Sequence, residues 1–412
     1  MAPGVADATD QQQGGHECKV GTALAAAARA QAGVAARAAA ATEEAKNSVA
    51  FYYDAFGGAK VEALLDDIDL IDVAYMISIA EAGGTVPRWQ NVPPTARINR
   101  TNAWRLRSYG SAESEERPLT LPILVVSYPW LDKSHPDQHG LTLRRMLPVL
   151  RALYEQATSF GSHTTVGVFQ DFMSLPQIPR TSEEYERFRR GLATMAGLYA
   201  HPYTIVLTVT TPIPGDGSCE NTVAYARRGW CHFERCVASL VKDTCCLWDL
   251  GRHAEGLPTD VRRCMEDLRA SRLAPTSPDQ MAKDLSQLAF TNGADIEKVI
   301  DLQAAFIRAF NEYRQNDQDG SISYQSLRWG GDEKQVSNLV AALQYAESEC
   351  QPKDSKGVHD AELRLYFGNN NFSPAEEERV RQAIPFASAK FQLYRDGELW
   401  TNRKNTCHCQ VQ

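Results

Sequence analysis

From residue 119 onward, short apolar or β-branched runs alternate with longer segments of helical period, and this rhythm constrains the fold more than any other feature. The runs are "PILVVSY", "VGVFQDF", "YTIVLTVT", "CCLWDL" and "LSQLAF". The segments that follow them are "LTLRRMLPVLRALYEQA", "SEEYERFRRGLATMAGLYA", "WCHFERCVASLVKD", "TDVRRCMEDLRA" and "IEKVIDLQAAFIRAFNEYR". Strands that are apolar throughout must be covered on both faces, which is the condition of a parallel sheet sandwiched by helices. Five such units predict an α/β domain with a flavodoxin-like, five-stranded parallel sheet, helices on both faces and right-handed crossovers.

The 412 residues leave room for more than this domain. Residues 1–50 are a low-complexity, alanine-rich tail that carries Arg29 and Arg37 and buries little. A transit peptide is the alternative there, and Asp7, Asp10 and Glu17 oppose it. Residues 51–118 read as a helical and loop extension, with "VEALLDDIDLIDVAYMISIAEAGG" as a helix stopped by a glycine pair and "VPRWQNVPP" as an extended loop. Residues 119–315 are the α/β domain, 316–398 a small repeat-like α/β region and 399–412 a C-terminal tail. Within 316–398, "YQSLRWGGDEKQVSNLVAALQYA" and "ELRLYFGNNNFSPAEEERVRQAI" share a strand, a turn and a helix, and faintly resemble leucine-rich repeats. Since roughly three repeats are needed to bury a continuous core, two must pack on the sheet domain.

A formal net charge of -8 argues against nucleic acid as a partner. No apolar run approaches the roughly 18 residues that span a bilayer, so no transmembrane segment is expected. The ten cysteines are irregularly spaced without a secretory apolar region, which indicates reduced thiols in a cytoplasmic chain. Neither the adjacent Cys245 and Cys246 nor the terminal Cys-x-Cys supplies paired Cys-x-x-Cys halves, and no metal or cofactor is expected. "NDQDGSISY" places Asp317, Asp319, Gly320 and Ile322 as a calcium loop would, but Gln315 and Ser326 stand where two anionic ligands belong. His135 and His139 fall in a loop bounded by Pro136 and Gly140. The last four residues fit a prenylation pattern on Cys409, with Cys407 available for palmitoylation, so membrane association through a C-terminal lipid is an expectation.

In an open α/β sheet, ligands bind outside the carboxyl ends of the strands where strand order reverses, between the first and third strands of a 2-1-3-4-5 sheet. The loops leaving those strands, "SYPWLDKSHPDQHG" and "TTPIPGDGSCENTVAYARRGWCHFE", are far longer than such connections need. Beside them, "DFMSLPQIPRTSEE" brings Asp171, Ser174 and Gln177, with Thr181 or Ser182 capping the next helix. Trp230 and Glu234 are four apart and share a helix face. The indole would lower the polarity around the carboxylate and offer a face to a substrate ring. The plainer alternative is a core stripe of Trp230, Phe233, Val237 and Leu240 with Glu234 at its edge.

"VVSYPWLD", "VFQDF" and "YARRGWCHFE", in that order, resemble the motif series of the Toll/interleukin-1 receptor (TIR) domain family, which is similar in fold to fungal heterokaryon-incompatibility domains. The matching positions are Ser127, Tyr128 and Asp132, then Asp171 with Phe172, then Trp230, Cys231 and Glu234. Pro129, Trp130 and the glycine-free "SLPQIPRT" depart from the family pattern. The resemblance implies a signalling protein that hydrolyses the nicotinamide–ribose bond of NAD with Glu234 as catalytic residue. It also implies substrate contacts from Ser127, Tyr128, Trp130, Asp132, Asp171, Phe172, Trp230 and Cys231, and self-association into homo-oligomers. The chemistry is consistent with one carboxylate, because nicotinamide departs neutral without a general acid and the acid need only stabilise an oxocarbenium-like charge. Two alternatives stay open: a non-catalytic interaction scaffold, and a nucleoside ribosyl- or deoxyribosyltransferase.

Overall fold

In the computed structural model, the residues described are 61, 63–106, 121–159, 164–252, 260–290, 321–349, 363–384, 391–395 and 398–399. The alanine-rich tail, Asp317, Asp319, Gly320, Cys407 and Cys409 lie outside them.

The stretch expected to be one helix near residue 70 is a strand running into a helix. β1 spans Leu70–Asp72 and is buried at every position, and α1 spans Val73–Glu81. Asp72 marks the change, since its carboxylate accepts from Ala74 N at 2.8 Å and caps the helix. There follow β2 (Arg97–Ile98), β3 (Ile123–Ser127), α2 (Leu141–Ser159), β4 (Gly167–Phe169), α3 (Asp171–Ser174), α4 (Ser182–Thr194) and α5 (Ala196–Ala200). β5 (Ile205–Thr208), α6 (Gly229–Ala238), β6 (Leu247–Asp249), α7 (Val261–Asp267) and α8 (Pro278–Leu285) complete the layer. Thr181 caps α4 as expected, in a reciprocal pair with Glu184.

The domain is α/β with a mostly parallel six-stranded sheet ordered β2-β1-β4-β3-β5-β6. β4, β3, β5 and β6 are parallel, whereas β1 is antiparallel to both β2 and β4. The expected count of five parallel strands is therefore corrected at both edges. "LSQLAF" is not a strand: α8 continues through Leu285, and Ala289 forms only an isolated bridge to Arg228. Ser277 caps α8, Pro278 occupies its first turn, and Met281 and Leu285 are buried, so its apolar residues serve a helix stripe rather than an alternating strand. The helix expected over 296–314 lies outside the described residues. At the opposite edge, Gly167 is what admits β1, because a Cβ there would lie 2.8 Å from Leu70 Cδ1.

Alternation along β3 divides the core. Leu124, Val126 and Tyr128 join the cluster under α1, α2 and α7, while Ile123 and Val125 join the cluster under α5, α6 and α8. Burial on both sides is what the uninterrupted apolar runs required.

A second sheet, β10-β9-β8-β7, comprises β7 (Ser321–Ser323), β8 (Leu363–Tyr366), β9 (Phe391–Arg395) and β10 (Glu398–Leu399). Helices α9 (Glu333–Glu349) and α10 (Pro374–Ala383) accompany it. β7, β8 and β9 are parallel, so the unit has a third parallel strand beyond the two expected repeats. Successive units are stitched by Asn370, whose Oδ1 accepts from Leu327 N, 43 residues earlier, at 3.1 Å. Its Nδ2 donates to Tyr324 O at 2.6 Å and Phe367 O at 2.9 Å. As expected, this unit packs on the first domain: its core takes in Leu240, Val241 and Ala274. Buried Arg272 donates to Ser239 O, Leu240 O and Ser323 O, across the junction, at 2.6 to 2.7 Å.

The N-terminal strands are held to the sheet by a buried ion pair, Arg105 with Asp72, and by Thr165 Oγ1 donating to Asp72 at 3.0 Å. Removing one partner leaves a buried charge uncompensated. Asp72→Ala is therefore expected to lose about 3–5 kcal/mol of stability in urea denaturation. A loss of under about 1 kcal/mol, the scale of an exposed pair, would show that the pair does not hold this edge.

Candidate active site

β3 ends at Ser127, β5 ends at Thr208, and the two are paired in register. Strand order reverses between them, with β4 on one side of β3 and β5 on the other. Ser127 projects to the face that α6 covers, because Phe233, Cys236 and Val237 of that helix pack there. The same packing brings Glu234 to the end of β3, where Ser127 Oγ donates to Glu234 Oε2 at 2.5 Å. Ser127 Oγ also lies 2.7 Å from the Tyr225 hydroxyl, which donates to Cys231 O at 3.2 Å. The Tyr199 hydroxyl donates to Val126 O at 3.2 Å and also hydrogen-bonds Glu234.

Burial pushes the Glu234 carboxyl up to about 8, and the nearby Asp171 adds to the rise. Hydrogen bonds from Ser127 and Tyr199 oppose it.

The other expected residues form a second cluster around Asp171 on the opposite face of β3. Tyr128 donates to Asp171 Oδ1 at 2.7 Å, Trp130 Nε1 to Oδ2 at 3.0 Å, and Phe172 N to Oδ1 at 2.7 Å. Burial raises the Asp171 pKa, and these donors hold it back. Phe172 is buried and meets Trp130 edge-on at 5.7 Å and His135 at 4.8 Å. Asp132 is buried, accepts from Glu220 N at 3.0 Å and leaves Oδ2 without a partner among the described residues. It binds loop to loop instead of meeting Glu234. Gln177 braces the Asp171 loop, donating to Asp171 O at 3.2 Å and Leu175 O at 2.8 Å, and Ser174 is buried.

Trp230 is half-buried, packs against the apolar cluster on the α6 face and meets Phe233 edge-on at 6.3 Å. The hydrogen bonds to Glu234 come from Ser127 and Tyr199. Burial also pushes the Cys231 thiol well above its usual range, so Cys231 contributes a carbonyl and no thiolate. Spacing could not single out Tyr199 or Tyr225, since one ends a helix and the other sits in a loop. Buried Arg228, just before α6, was likewise missed; it donates to Trp130 O, Val223 O and Asn221 O at 2.6 to 3.1 Å. With Lys133, Glu220, Asn221, Val223 and Phe290 it lines a groove of about 330 Å³. Among the described residues no three His, Cys, Asp or Glu side chains cluster as a metal site, and no helix is long and apolar enough to cross a membrane.

The Glu234 pKa has a consequence for stability. Raised from 4.5 to about 8 in the folded chain, the acid favours folding fully below its unfolded value, and that contribution is lost as pH rises through about 8. Glu234→Gln, which mimics the neutral acid, is expected to match the wild type below about pH 4. Its stability advantage should grow steadily up to about pH 8 and then level off. Denaturant midpoints measured across that range check this, and a constant difference between the two chains would refute the raised pKa.

Comparison with protein-family models, with curated proteins and with solved structures returned no match for this chain.

Proposed function

We propose that the α/β domain is a TIR-like, flavodoxin-like module that hydrolyses the nicotinamide–ribose bond of NAD, with the Glu234 carboxylate as catalytic residue. The observation that carries this reading is the position of Glu234. It is hydrogen-bonded to Ser127 at the carboxyl end of β3, beside the strand-order reversal, where ligands of open α/β sheets bind. Held in low polarity, the carboxylate would interact with a developing ribosyl cation more strongly than it could in water. The substrate's positively charged nicotinamide ring would itself favour ionisation of Glu234 on binding. The groove beside Arg228 offers the Lys133 cation and the Phe290 ring to the rest of a dinucleotide, with the acid Glu220 in the same lining and the Arg228 guanidinium already held by three backbone carbonyls. Self-association of the domain belongs to the same reading.

One observation favours the non-catalytic scaffold instead. Trp230 packs half-buried against the apolar cluster, as the edge of a structural stripe would, and Glu234 is satisfied by its own neighbours. Incubating the full chain with NAD, and separately with nucleosides, at concentrations that force assembly separates the readings. Nicotinamide release supports the proposal, release of a free base indicates the ribosyltransferase, and neither product indicates the scaffold.

If Glu234 acts ionised, kcat/KM for nicotinamide release should rise with pH and reach a plateau above about 8, the value of the free protein. Glu234→Gln should lower it by about 10²–10³-fold while the fold persists. A profile that falls across the same range would assign the group an acid role and overturn this mechanism.

A further inference from the structure

At the opposite, amino end of the parallel strands, the segment between α6 and β6 brings together a lysine and two cysteines that the proposed reaction does not use. Lys242 is fully buried. Its Nζ donates to Thr204 O at 2.6 Å, to Thr204 Oγ1 at 2.9 Å and to His201 O. All three partners are neutral oxygens, and no ion pair among the described residues includes Lys242. Burial accordingly pulls its pKa down to about 7, while the charges of Cys246 and Cys245 work in the opposite direction. A thiolate here would supply the negative charge that the buried ammonium lacks.

The thiols themselves are placed to react. Cys245 Sγ and Cys246 Sγ lie 3.8 Å apart in a reduced contact. Cys245 is half-exposed, whereas Cys246 is buried behind it. The turn that holds them is pinned by Trp248 Nε1 donating to Cys245 O at 2.8 Å. The Cys245 thiol is drawn below its usual value, first by its contact with Cys246, and the Cys246 thiol is pushed up. An accessible thiol of lowered pKa beside a buried partner is the arrangement of an attacking and a resolving cysteine.

We propose that Cys245 and Cys246 form a redox-active vicinal dithiol that closes to an intrachain disulfide on reaction with a small-molecule disulfide. The Cys245 thiolate attacks one sulfur of the oxidant, breaking its S–S bond and releasing one thiolate, which takes up a proton from solvent. Cys246, deprotonated, then attacks Cys245 Sγ and displaces the second thiol. Two protein thiols are oxidised by two electrons, and one disulfide is reduced to two thiols.

The experiment treats the full chain with bis(2-hydroxyethyl) disulfide, blocks remaining thiols with N-ethylmaleimide and maps the peptides by mass spectrometry. Mapping separates this pair from the terminal Cys407 and Cys409. The peptide holding Cys245 and Cys246 is expected to be two hydrogens lighter and unlabelled, and to take two labels after reduction. Cys246→Ser should retain a mixed disulfide on Cys245, and Cys245→Ser should leave Cys246 unmodified. The proposal is overturned if wild-type Cys245 and Cys246 stay reduced, if Cys245 keeps the adduct with Cys246 present, or if Cys246 reacts in the Cys245→Ser chain. Lying at the far end of the strands from Glu234, the pair is tested independently of any NAD chemistry.

Discussion

The two-residue period of β3 is the constraint on which the rest of the domain depends. As the strand at the strand-order reversal, it has a parallel neighbour on each side and helices on both faces. Its side chains must then divide alternately between two apolar clusters. Leu124, Val126 and Tyr128 go to one, and Ile123 and Val125 to the other. Ser127 is the polar end of the second row, so it meets α6 and Glu234, while the next residue, Tyr128, turns to Asp171. Shifting β3 by one residue would exchange the partners of every one of these groups.

Burial gives the two carboxylates different characters. Asp171 has three donors to offset the loss of water. Glu234 meets only two hydroxyls, Ser127, which also lies against the Tyr225 hydroxyl, and Tyr199, which is shared with Val126 O, and it feels the charge of Asp171 as well. Its pKa is raised to about 8, and the proton moves into the range where a protein can use it.

The second unit shows why a short run of repeats belongs to a larger chain. Asn370 satisfies backbone groups within and between neighbouring repeats, but the stack still presents an open end of its core. That end is closed by Leu240, Val241 and Ala274 of the first domain, with Arg272 bound to carbonyls on both sides. The segment that supplies Leu240 and Val241 continues into Lys242, Cys245 and Cys246, so the connection into β6 serves both units.

The layered α/β plan, four of its parallel strands, most of its helices and the meeting at one sheet end of the loops that carry Ser127 and Glu234 were legible in the sequence. Each depends on periodicity or on loop length, which local chemistry writes directly into the chain. Three things depended on tertiary contact alone. "LID" became a strand because the uncovered edge of β4 took it, although its apolar content suits a helix equally well. "LSQLAF" formed no strand: its Leu285 ends a helix and fills a core face, and Ala289 makes a single bridge to Arg228. Trp230 packed half-buried against the apolar cluster while Tyr199 reached Glu234 and Tyr225 reached Ser127, since distances between residues on separate elements are set by packing and have no period in the sequence.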